Sequence, residues 1–319
     1  MNNYIGHPSQ LCGIEEHRLV GGKGDGMRLY EAWTSGGLRF TVSADRCGDL
    51  SRVSYKGINL GFFGPCGYVA PQHYDPRGAG FLKSFTGGFL TTCGLTAVGS
   101  PCVDEGEELP LHGNISHVPA ENVVVDTDET LRIKLTMRDA SLFGRKFLLT
   151  REYECAPDGS ALILHDKVQN IAASETPYMI LYHFNFGYPL LAPGAELTIP
   201  SKSVTPRNDR AAEDLDTASS IIEPQPAFEE QCYFHDLSEG RVKLKNPALG
   251  IAVTMEFDTT ELPFFTQWKL MQQGEYVMGL EPGNCHPDGR DVMRRQGKLR
   301  FLKPGEAAEQ TIKITITEE

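Results

Sequence analysis

The sequence lacks several features that mark membrane and secreted proteins. No apolar run of 18 residues or more occurs in the 319-residue chain, which argues against a membrane-spanning helix. The first 16 residues are polar and contain no apolar core, so no signal peptide is expected. The eight cysteines are scattered without a C-x-x-C pair and predict no disulfide framework. We therefore expect a cytoplasmic protein with free thiols.

Positive charge is also scarce. The chain has 30 lysines and arginines against 42 aspartates and glutamates, which gives a net charge of −12. An acidic protein is poorly suited to nucleic acid or to an anionic membrane surface, so we predict neither as a partner. A neutral or weakly charged small molecule fits this charge balance better.

Long segments with helical periodicity are absent, whereas strand patterns run from one end to the other. Residues 131–137 alternate apolar and charged side chains, which is typical of a half-buried strand. Residues 147–153 and 161–168 flank a Pro-Asp-Gly turn and predict a hairpin. Residues 311–317 alternate strictly. Residues 179–186 form a continuous apolar run, which predicts a strand buried on both faces.

These patterns predict an all-β protein, with one large antiparallel β-sandwich domain over residues 1–319. Residues 61–108 lack clear periodicity and are rich in glycine and proline, so we expect a long loop that covers one rim of a binding cleft. Residues 200–228 predict a second irregular excursion, in which residues 211–222 form either a short helix or a surface loop.

Three short polar motifs stand at or beside the ends of apolar runs. They are residues 111–114 (Leu-His-Gly-Asn), 182–185 (Tyr-His-Phe-Asn) and 279–284 (Gly-Leu-Glu-Pro-Gly-Asn). The motifs contain His112, His183 and Glu281. Imidazole and carboxyl groups are suited to proton transfer near neutral pH, because protein surroundings tune both toward that range. We expect strands to deliver the three side chains to one cleft.

The order and local sequence of these motifs resemble the aldose 1-epimerase (galactose mutarotase-like) superfamily. The closer likeness is to a divergent, uncharacterised aldose 1-epimerase-like branch, and it rests on residues 45–46, 87–94, 267–269 and 281–284. The resemblance implies a large β-sandwich and an isomerase of carbohydrate metabolism. It also implies a mutarotase that interconverts sugar anomers without a metal or an organic cofactor.

The resemblance also implies a role for each motif residue. Glu281 would be the general base that takes the proton of the anomeric hydroxyl, and His183 the general acid that protonates the ring oxygen. Reclosure with the two roles exchanged gives the other anomer. His112 would bind the sugar near the ring oxygen.

Further candidates for sugar binding surround these motifs. They are Asn185, Arg77, His235, Trp268 and Lys269. An aromatic face such as that of Trp268 can stack on the apolar face of a sugar. Typical galactose mutarotases carry a sugar-binding arginine ahead of the His-Gly pair, but no arginine lies between Gly78 and Asn114 here. Arg77 or Lys83 could replace it. The usual sugar-binding aspartate is also altered, so we expect the same chemistry on a different sugar.

Several alternatives remain at this stage. The fold could serve a sugar-binding β-sandwich without catalysis, because fold does not determine function. The same base could remove a C–H proton, as in a carbon-centre epimerase or isomerase of a keto sugar or sugar acid. A metal enzyme could use a histidine-rich donor set, namely His112, His117, His183, His235 and Glu281. The chain lacks the His-x-His spacing of such sites, so we predict no metal.

Overall fold

Antiparallel strands make up about half of the protein, as a computed structural model that describes residues 3–319 shows. The strands in chain order are β1 (Gly13–Arg18), β2 (Arg28–Trp33), β3 (Leu38–Ser43), β4 (Asp49–Tyr55), β5 (Ile58–Asn59), β6 (Phe62–Phe63), β7 (Gly87–Gly88), β8 (Leu90–Leu95), β9 (Cys102–Asp104), β10 (Glu107–Leu109), β11 (Asn122–Asp126), β12 (Leu131–Ala140), β13 (Lys146–Cys155), β14 (Ala161–Asn170), β15 (Thr176–Gly187), β16 (Glu196–Thr198), β17 (Ser201–Pro206), β18 (Gln231–Leu237), β19 (Arg241–Asn246), β20 (Ile251–Phe257), β21 (Phe264–Gln272), β22 (Glu275–Gly283), β23 (Arg300–Leu302) and β24 (Ala307–Glu318).

Helices are few and short. The two α-helices are α1 (Asp209–Glu213) and α2 (Arg290–Arg295), and the 3-10 helices are Pro8–Gln10, Gly22–Gly24, Pro71–His73, Gly80–Lys83, Ile115–His117 and Leu215–Thr217. Within residues 3–319, none has the length and apolar character needed to cross a membrane. All eight cysteines lie in this part of the chain and are free thiols.

Three large sheets form the layers of the protein. An eight-stranded sheet has the order β11-β12-β13-β14-β24-β20-β19-β16, and a seven-stranded sheet has the order β17-β18-β21-β22-β15-β23, with β8 pairing along the middle of β15. A five-stranded sheet, β1 to β5, lies at the N-terminal side of the chain. The main apolar core draws its side chains from all three sheets.

The antiparallel β-sandwich predicted from the sequence is confirmed. The alternating residues 131–137 lie in β12, and β13 and β14 form the predicted hairpin. The continuous apolar run lies in β15, where every residue except Pro177 is buried. One face of β15 packs into the core, and loops cover the other face, so neither face needs the polar alternation of a solvated strand.

The two irregular stretches contain more regular structure than the sequence indicates. Residues 61–108 include β8, whose six residues are all buried and paired with β15. Because β8 is covered on both faces and contains two threonines and a glycine, its pattern does not reveal a strand. Residues 200–228 contain β17, and residues 211–222 include the end of α1 and the 3-10 helix Leu215–Thr217.

A buried ionic network joins the sheets beneath the central strand. The guanidinium of Arg151 is fully buried and donates to Asp49 at 2.7 Å and to both oxygens of Asp166 at 2.9 and 2.7 Å. It also donates to Thr92 Oγ1 at 2.8 Å, and the hydroxyl of Tyr182 donates to Asp166 at 2.9 Å. The network therefore ties β4, β8, β13, β14 and β15 together with charge-assisted hydrogen bonds.

We expect the substitution Arg151→Leu to lower the free energy of unfolding by about 3–5 kcal/mol, because it leaves two buried carboxylates without their counterion. Equilibrium unfolding in urea measures this loss. The matched control is Lys167→Ala on β14, whose exposed ion pair with Glu309 is worth about 1 kcal/mol or less. Equal small losses in both variants would show that the network does not depend on its arginine.

Candidate active site

One face of the seven-stranded sheet forms the floor of a cavity of about 510 Å³. Neighbouring strands supply this floor with Cys232 from β18, Trp268 from β21, Glu281 from β22 and His183 from β15. Successive side chains of a strand point to opposite faces, so each of these residues has chain neighbours that face away from the cavity. The sheet thus places a thiol, an indole, a carboxyl and an imidazole side by side.

The register between β15 and β22 brings His183 and Glu281 together. Leu181 pairs with Gly283 and Phe184 with Leu280. Nε2 of His183 lies 3.1 Å from Oε1 of Glu281, and the two side chains are only 8% and 3% exposed. The structure therefore places the two predicted proton-transfer groups in direct contact at the floor of the cavity.

Gly279 creates the space that the Glu281 carboxyl occupies. It lies on β22 two residues before Glu281 and is paired with Trp268 on β21. A Cβ atom at position 279 would collide with Oε1 of Glu281 and would press against the side chain of Trp268. The glycine therefore allows the carboxyl to fold back along its own strand, toward His183.

Burial determines the protonation of these groups. It lowers the pKa of His183 to about 4 and that of His112 to about 3. It also raises the pKa of Glu281 well above its usual value, with a further increase from the charge of Glu230 and an opposing effect of Arg207. Desolvation penalises every charged form, so burial favours neutral imidazoles beside a protonated carboxyl.

His112 stands on the wall of the cavity in a strained backbone conformation. Its φ angle is +59°, and its main chain is held by hydrogen bonds with Gly99 and Gly94 of 2.9 and 3.0 Å. Nδ1 of the ring accepts the N–H of Gly99 at 3.3 Å, so the neutral ring carries its hydrogen on Nε2. The imidazole lies 5.8 Å from that of His183 and is nearly perpendicular to it. His112 thus retains Nε2–H as a hydrogen-bond donor.

Arg207 lines the cavity, although the sequence analysis did not identify it. It directly follows β17, and its guanidinium donates to Asp288 at 3.1 Å, to Ser100 Oγ at 2.9 Å and to the carbonyl of Pro287 at 3.2 Å. The side chain is 27% exposed. The sequence does contain a signal for this residue, because Arg207 stands between the end of β17 and Asn208, the N-cap of α1.

An aromatic wall with an acidic group forms another part of the cavity. Phe85 lies 6.5 Å from Trp268 and 5.5 Å from His183, between ring centres. The indole N–H of Trp268 donates to Glu230 at 2.8 Å. Glu230 also lines the cavity and was missed in the sequence, since it lies just before β18 at the end of the irregular excursion. The wall combines an apolar surface with a hydrogen-bond acceptor.

The long stretch at residues 61–108 covers one rim of this cavity, as expected. It contributes Phe62, Pro65, Phe81, Phe85 and Ser100, among others. Of the predicted site residues, His183, Glu281, His112 and Trp268 line the same cavity.

Two predicted sugar-binding residues of the seven-stranded sheet, Asn185 on β15 and His235 on β18, do not line the cavity. Asn185 is fully buried, and its amide donates to the carbonyls of His183 and Gly87. His235 is buried on the opposite face of β18, where its ring contacts Ser201 Oγ at 2.7 Å and Gln267 Oε1 at 3.1 Å. Both side chains are buried and bind groups within the protein, and neither lines the cavity.

The predicted basic residues are also outside the cavity. Lys269 is buried on the face of β21 opposite to Trp268, and Nζ donates to the carbonyl of Thr217 at 2.9 Å. Arg77 is exposed at the surface and binds Asp75 at 2.9 Å. Arg207 lines the cavity and Arg77 does not.

Two of the histidines considered for a metal site, His117 and His235, lie outside the cavity. His117 stacks on Tyr74 and contacts Ser84 Oγ at 2.8 Å, and His235 is engaged by Ser201 and Gln267. Across residues 3–319, no group of three or more histidine, cysteine, aspartate or glutamate side chains has the arrangement of a metal site.

Comparisons with known proteins place the chain in a family. A family model described as a domain of unknown function (DUF4432) matches residues 24–316. The chain belongs to this family. No functionally curated protein matches it.

Solved structures resemble the whole sandwich. A "putative aldose 1-epimerase" from Klebsiella pneumoniae subsp. pneumoniae MGH 78578 is 27% identical, with a TM-score of 0.89 over 96% of this chain and 83% of the other. A galactose mutarotase-like protein from Clostridium acetobutylicum is 13% identical, with a TM-score of 0.71 over 97% and 100%. A "putative aldose 1-epimerase" from Escherichia coli K12 is 17% identical, with a TM-score of 0.64 over 92% and 100%. The galactose mutarotase-like fold inferred from the motifs is therefore confirmed.

We expect the imidazoles of His112 and His183 to stay neutral throughout the neutral pH range and to titrate near pH 3 and pH 4. NMR titration of histidine-labelled protein measures both values, and the urea-unfolded chain provides the reference near pH 6.5. Because the folded pKa values are lower, the unfolded chain binds more protons as the pH falls below about 6.5. These two residues therefore destabilise the fold as the pH falls toward 4. Titration of either ring near pH 6.5 in the folded protein would contradict the burial argument.

Proposed function

We propose that this protein is a carbohydrate epimerase of the aldose 1-epimerase (mutarotase) type, which interconverts sugar anomers by opening and reclosing the ring. The contact between His183 and Glu281 carries the proposal, with Nε2 and Oε1 3.1 Å apart on the floor of a cavity. Its volume of about 510 Å³ lies within the range of small-molecule sites. The galactose mutarotase-like fold gives independent support.

The pair carries one exchangeable proton, which is on His183 in the ionic form and on Glu281 in the neutral form. In the ionic form, Glu281 accepts the proton of the anomeric hydroxyl, and the His183 imidazolium delivers a proton to the ring oxygen. The C–O bond between the anomeric carbon and the ring oxygen breaks, and an open-chain carbonyl remains beside a neutral pair. Rotation of the carbonyl group exposes its other face. When the ring closes again, the hydroxyl formed from the ring oxygen gives its proton to His183. Glu281 gives its proton to the carbonyl oxygen, which becomes the anomeric hydroxyl.

The energetics of the pair suit this cycle. Burial favours the neutral form, which is the form that accompanies the open-chain sugar. The ionic form starts the reaction, and the hydroxyl groups of a bound sugar would stabilise it by hydrogen bonds. Neither form places a net charge on the floor, so each proton transfer proceeds without separating charge over a long distance.

The walls supply the contacts that hold the sugar. The face of Trp268 and the ring of Phe85 offer apolar surface to the C–H face of a pyranose. His112 donates from Nε2, Arg207 donates from its guanidinium, and Glu230 accepts hydrogen bonds from hydroxyl groups. Arg207 and Glu230 would thus replace the arginine and aspartate that typical galactose mutarotases carry elsewhere.

We expect Glu281→Gln to lower the rate of anomer exchange by about 10²–10⁴-fold, because an amide cannot take up or release the proton. NMR exchange spectroscopy on a panel of aldoses, ketoses, uronates and sugar phosphates measures the rate. The control is Glu309→Gln, an exposed glutamate on β24, which should exchange sugars like the unchanged protein.

The same panel separates this proposal from its alternatives. Binding of a sugar without faster exchange would point to a sugar-binding sandwich. Incorporation of solvent deuterium at carbon would point to a carbon-centre epimerase. Exchange that survives in the Glu281→Gln protein would overturn the proposed acid–base pair.

We expect Arg207→Met to raise the KM for the best sugar by roughly 10- to 100-fold, the equivalent of a charged hydrogen bond worth about 1.5–3 kcal/mol. The comparison is Arg77→Gln, whose side chain is exposed and paired with Asp75 outside the cavity. Steady-state kinetics measure both variants, and circular dichroism verifies their folding. A larger effect at position 77 than at position 207 would contradict the assignment of the sugar-binding arginine.

A further inference from the structure

Three buried polar atoms at the acid–base pair have no hydrogen-bond partner among the described residues. They are Oε1 of Glu281, Nδ1 of His183 and Oδ1 of Asn185. The side chains of His183 and Asn185 lie two residues apart on β15 and therefore on the same face of the strand. Buried polar atoms in proteins are nearly always paired, so two neighbouring orphans of this kind call for a functional explanation.

The orientation of the Asn185 amide is fixed by its surroundings. Its Nδ2 donates to the carbonyl of His183 at 2.9 Å and to the carbonyl of Gly87 at 3.4 Å. Rotation of the amide by 180° would place its oxygen against two carbonyl oxygens, with only acceptors facing each other. Oδ1 is therefore the free end, and it can act only as an acceptor.

We propose that Asn185 is a positioning residue, whose Oδ1 accepts a hydrogen bond from Nδ1–H of His183 and thereby fixes the tautomer of the ring. The inference rests on the proposed function and deepens it. With the hydrogen held on Nδ1, Nε2 is the nitrogen that delivers the proton to the sugar and takes it back, and it lies 3.1 Å from Oε1 of Glu281. Asn185 thus acts on the reaction through His183 and does not touch the sugar.

The possible protonation states of the pair support this assignment. In the neutral pair, a protonated Glu281 donates to the lone pair of Nε2, and Nδ1–H faces Asn185. In the ionic pair, both ring nitrogens carry hydrogens. Nε2–H faces the Glu281 carboxylate, and Nδ1–H faces the Asn185 oxygen. The remaining neutral tautomer, with hydrogen on Nε2 alone, would direct the lone pair of Nδ1 at an acceptor. Both states of the cycle therefore keep hydrogen on Nδ1.

The electrostatics of the ring agree with this arrangement. Burial lowers the pKa of His183, whereas the Asn185 side chain raises it. An acceptor beside Nδ1 has this effect, because it stabilises the doubly protonated ring that the ionic pair requires.

The test is the tautomer of His183, read by ¹⁵N NMR of histidine-labelled protein without any sugar, with His183→Gln to identify the signals. We expect a pyrrole-type Nδ1 and a pyridine-type Nε2 near neutral pH. Asn185→Leu removes the acceptor and should shift the ring toward its other tautomer. The rate of anomer exchange should fall by about 10- to 100-fold with little change in KM. Asn185→Asp keeps an acceptor and should restore the Nδ1–H tautomer.

Matched controls make the outcome decisive. Asn170 is equally buried but holds main-chain groups at the end of β14, so Asn170→Leu should leave the His183 tautomer unchanged. A pyridine-type Nδ1 in the unchanged protein would overturn the proposal, as would an unaltered tautomer in Asn185→Leu. If Asn185→Leu does not fold, the unchanged protein and Asn185→Asp still decide. If no sugar is epimerised, the proposed function fails while the tautomer still tests the role of Asn185.

Discussion

The antiparallel pairing of β15 and β22 is the constraint on which the rest of the site depends. It places an imidazole and a carboxyl at adjacent positions on one face of the sheet. A shift of register by one residue would turn one of the two groups toward the core, because side chains alternate between the faces. Burial of β15 between two layers specifies that register strongly, since its inward-facing aromatic residues have no other place to pack.

The buried ionic network and the cavity lie on opposite faces of β15. Tyr182 points into the core and is anchored to Asp166, which Arg151 holds in turn. The adjacent residue, His183, must therefore point the other way, into the cavity. The core thus contributes to the site by fixing the rotation of β15, whereas the floor residues supply the chemistry. A charged network in this position gives directional contacts that apolar packing alone lacks.

The sequence predicts the floor of the site better than its walls. His183 and Glu281 are predicted from short polar motifs at or beside the ends of apolar runs, and Trp268 as an aromatic side chain suited to stack on a sugar. In the structure, the alternation of pleated strands places all three on one face. The same alternation explains why Lys269, the chain neighbour of Trp268, lies on the opposite face. Arg207 and Glu230 were missed, since they flank a segment without periodicity and reach the cavity only through tertiary packing. Strand β8 was hidden for a related reason, because burial on both faces removes its polar alternation.

The part of the cavity wall around Arg207 is built separately from the floor. The guanidinium joins its own segment to two others that are distant in the chain, at Ser100 and at residues 287–288. These hydrogen bonds hold the wall in place, so binding of a ligand there would cost little conformational freedom. The wall consists of loops, which tolerate substitution more readily than the strands of the floor. Substitutions in these loops would therefore alter what the cavity recognises without moving His183 or Glu281.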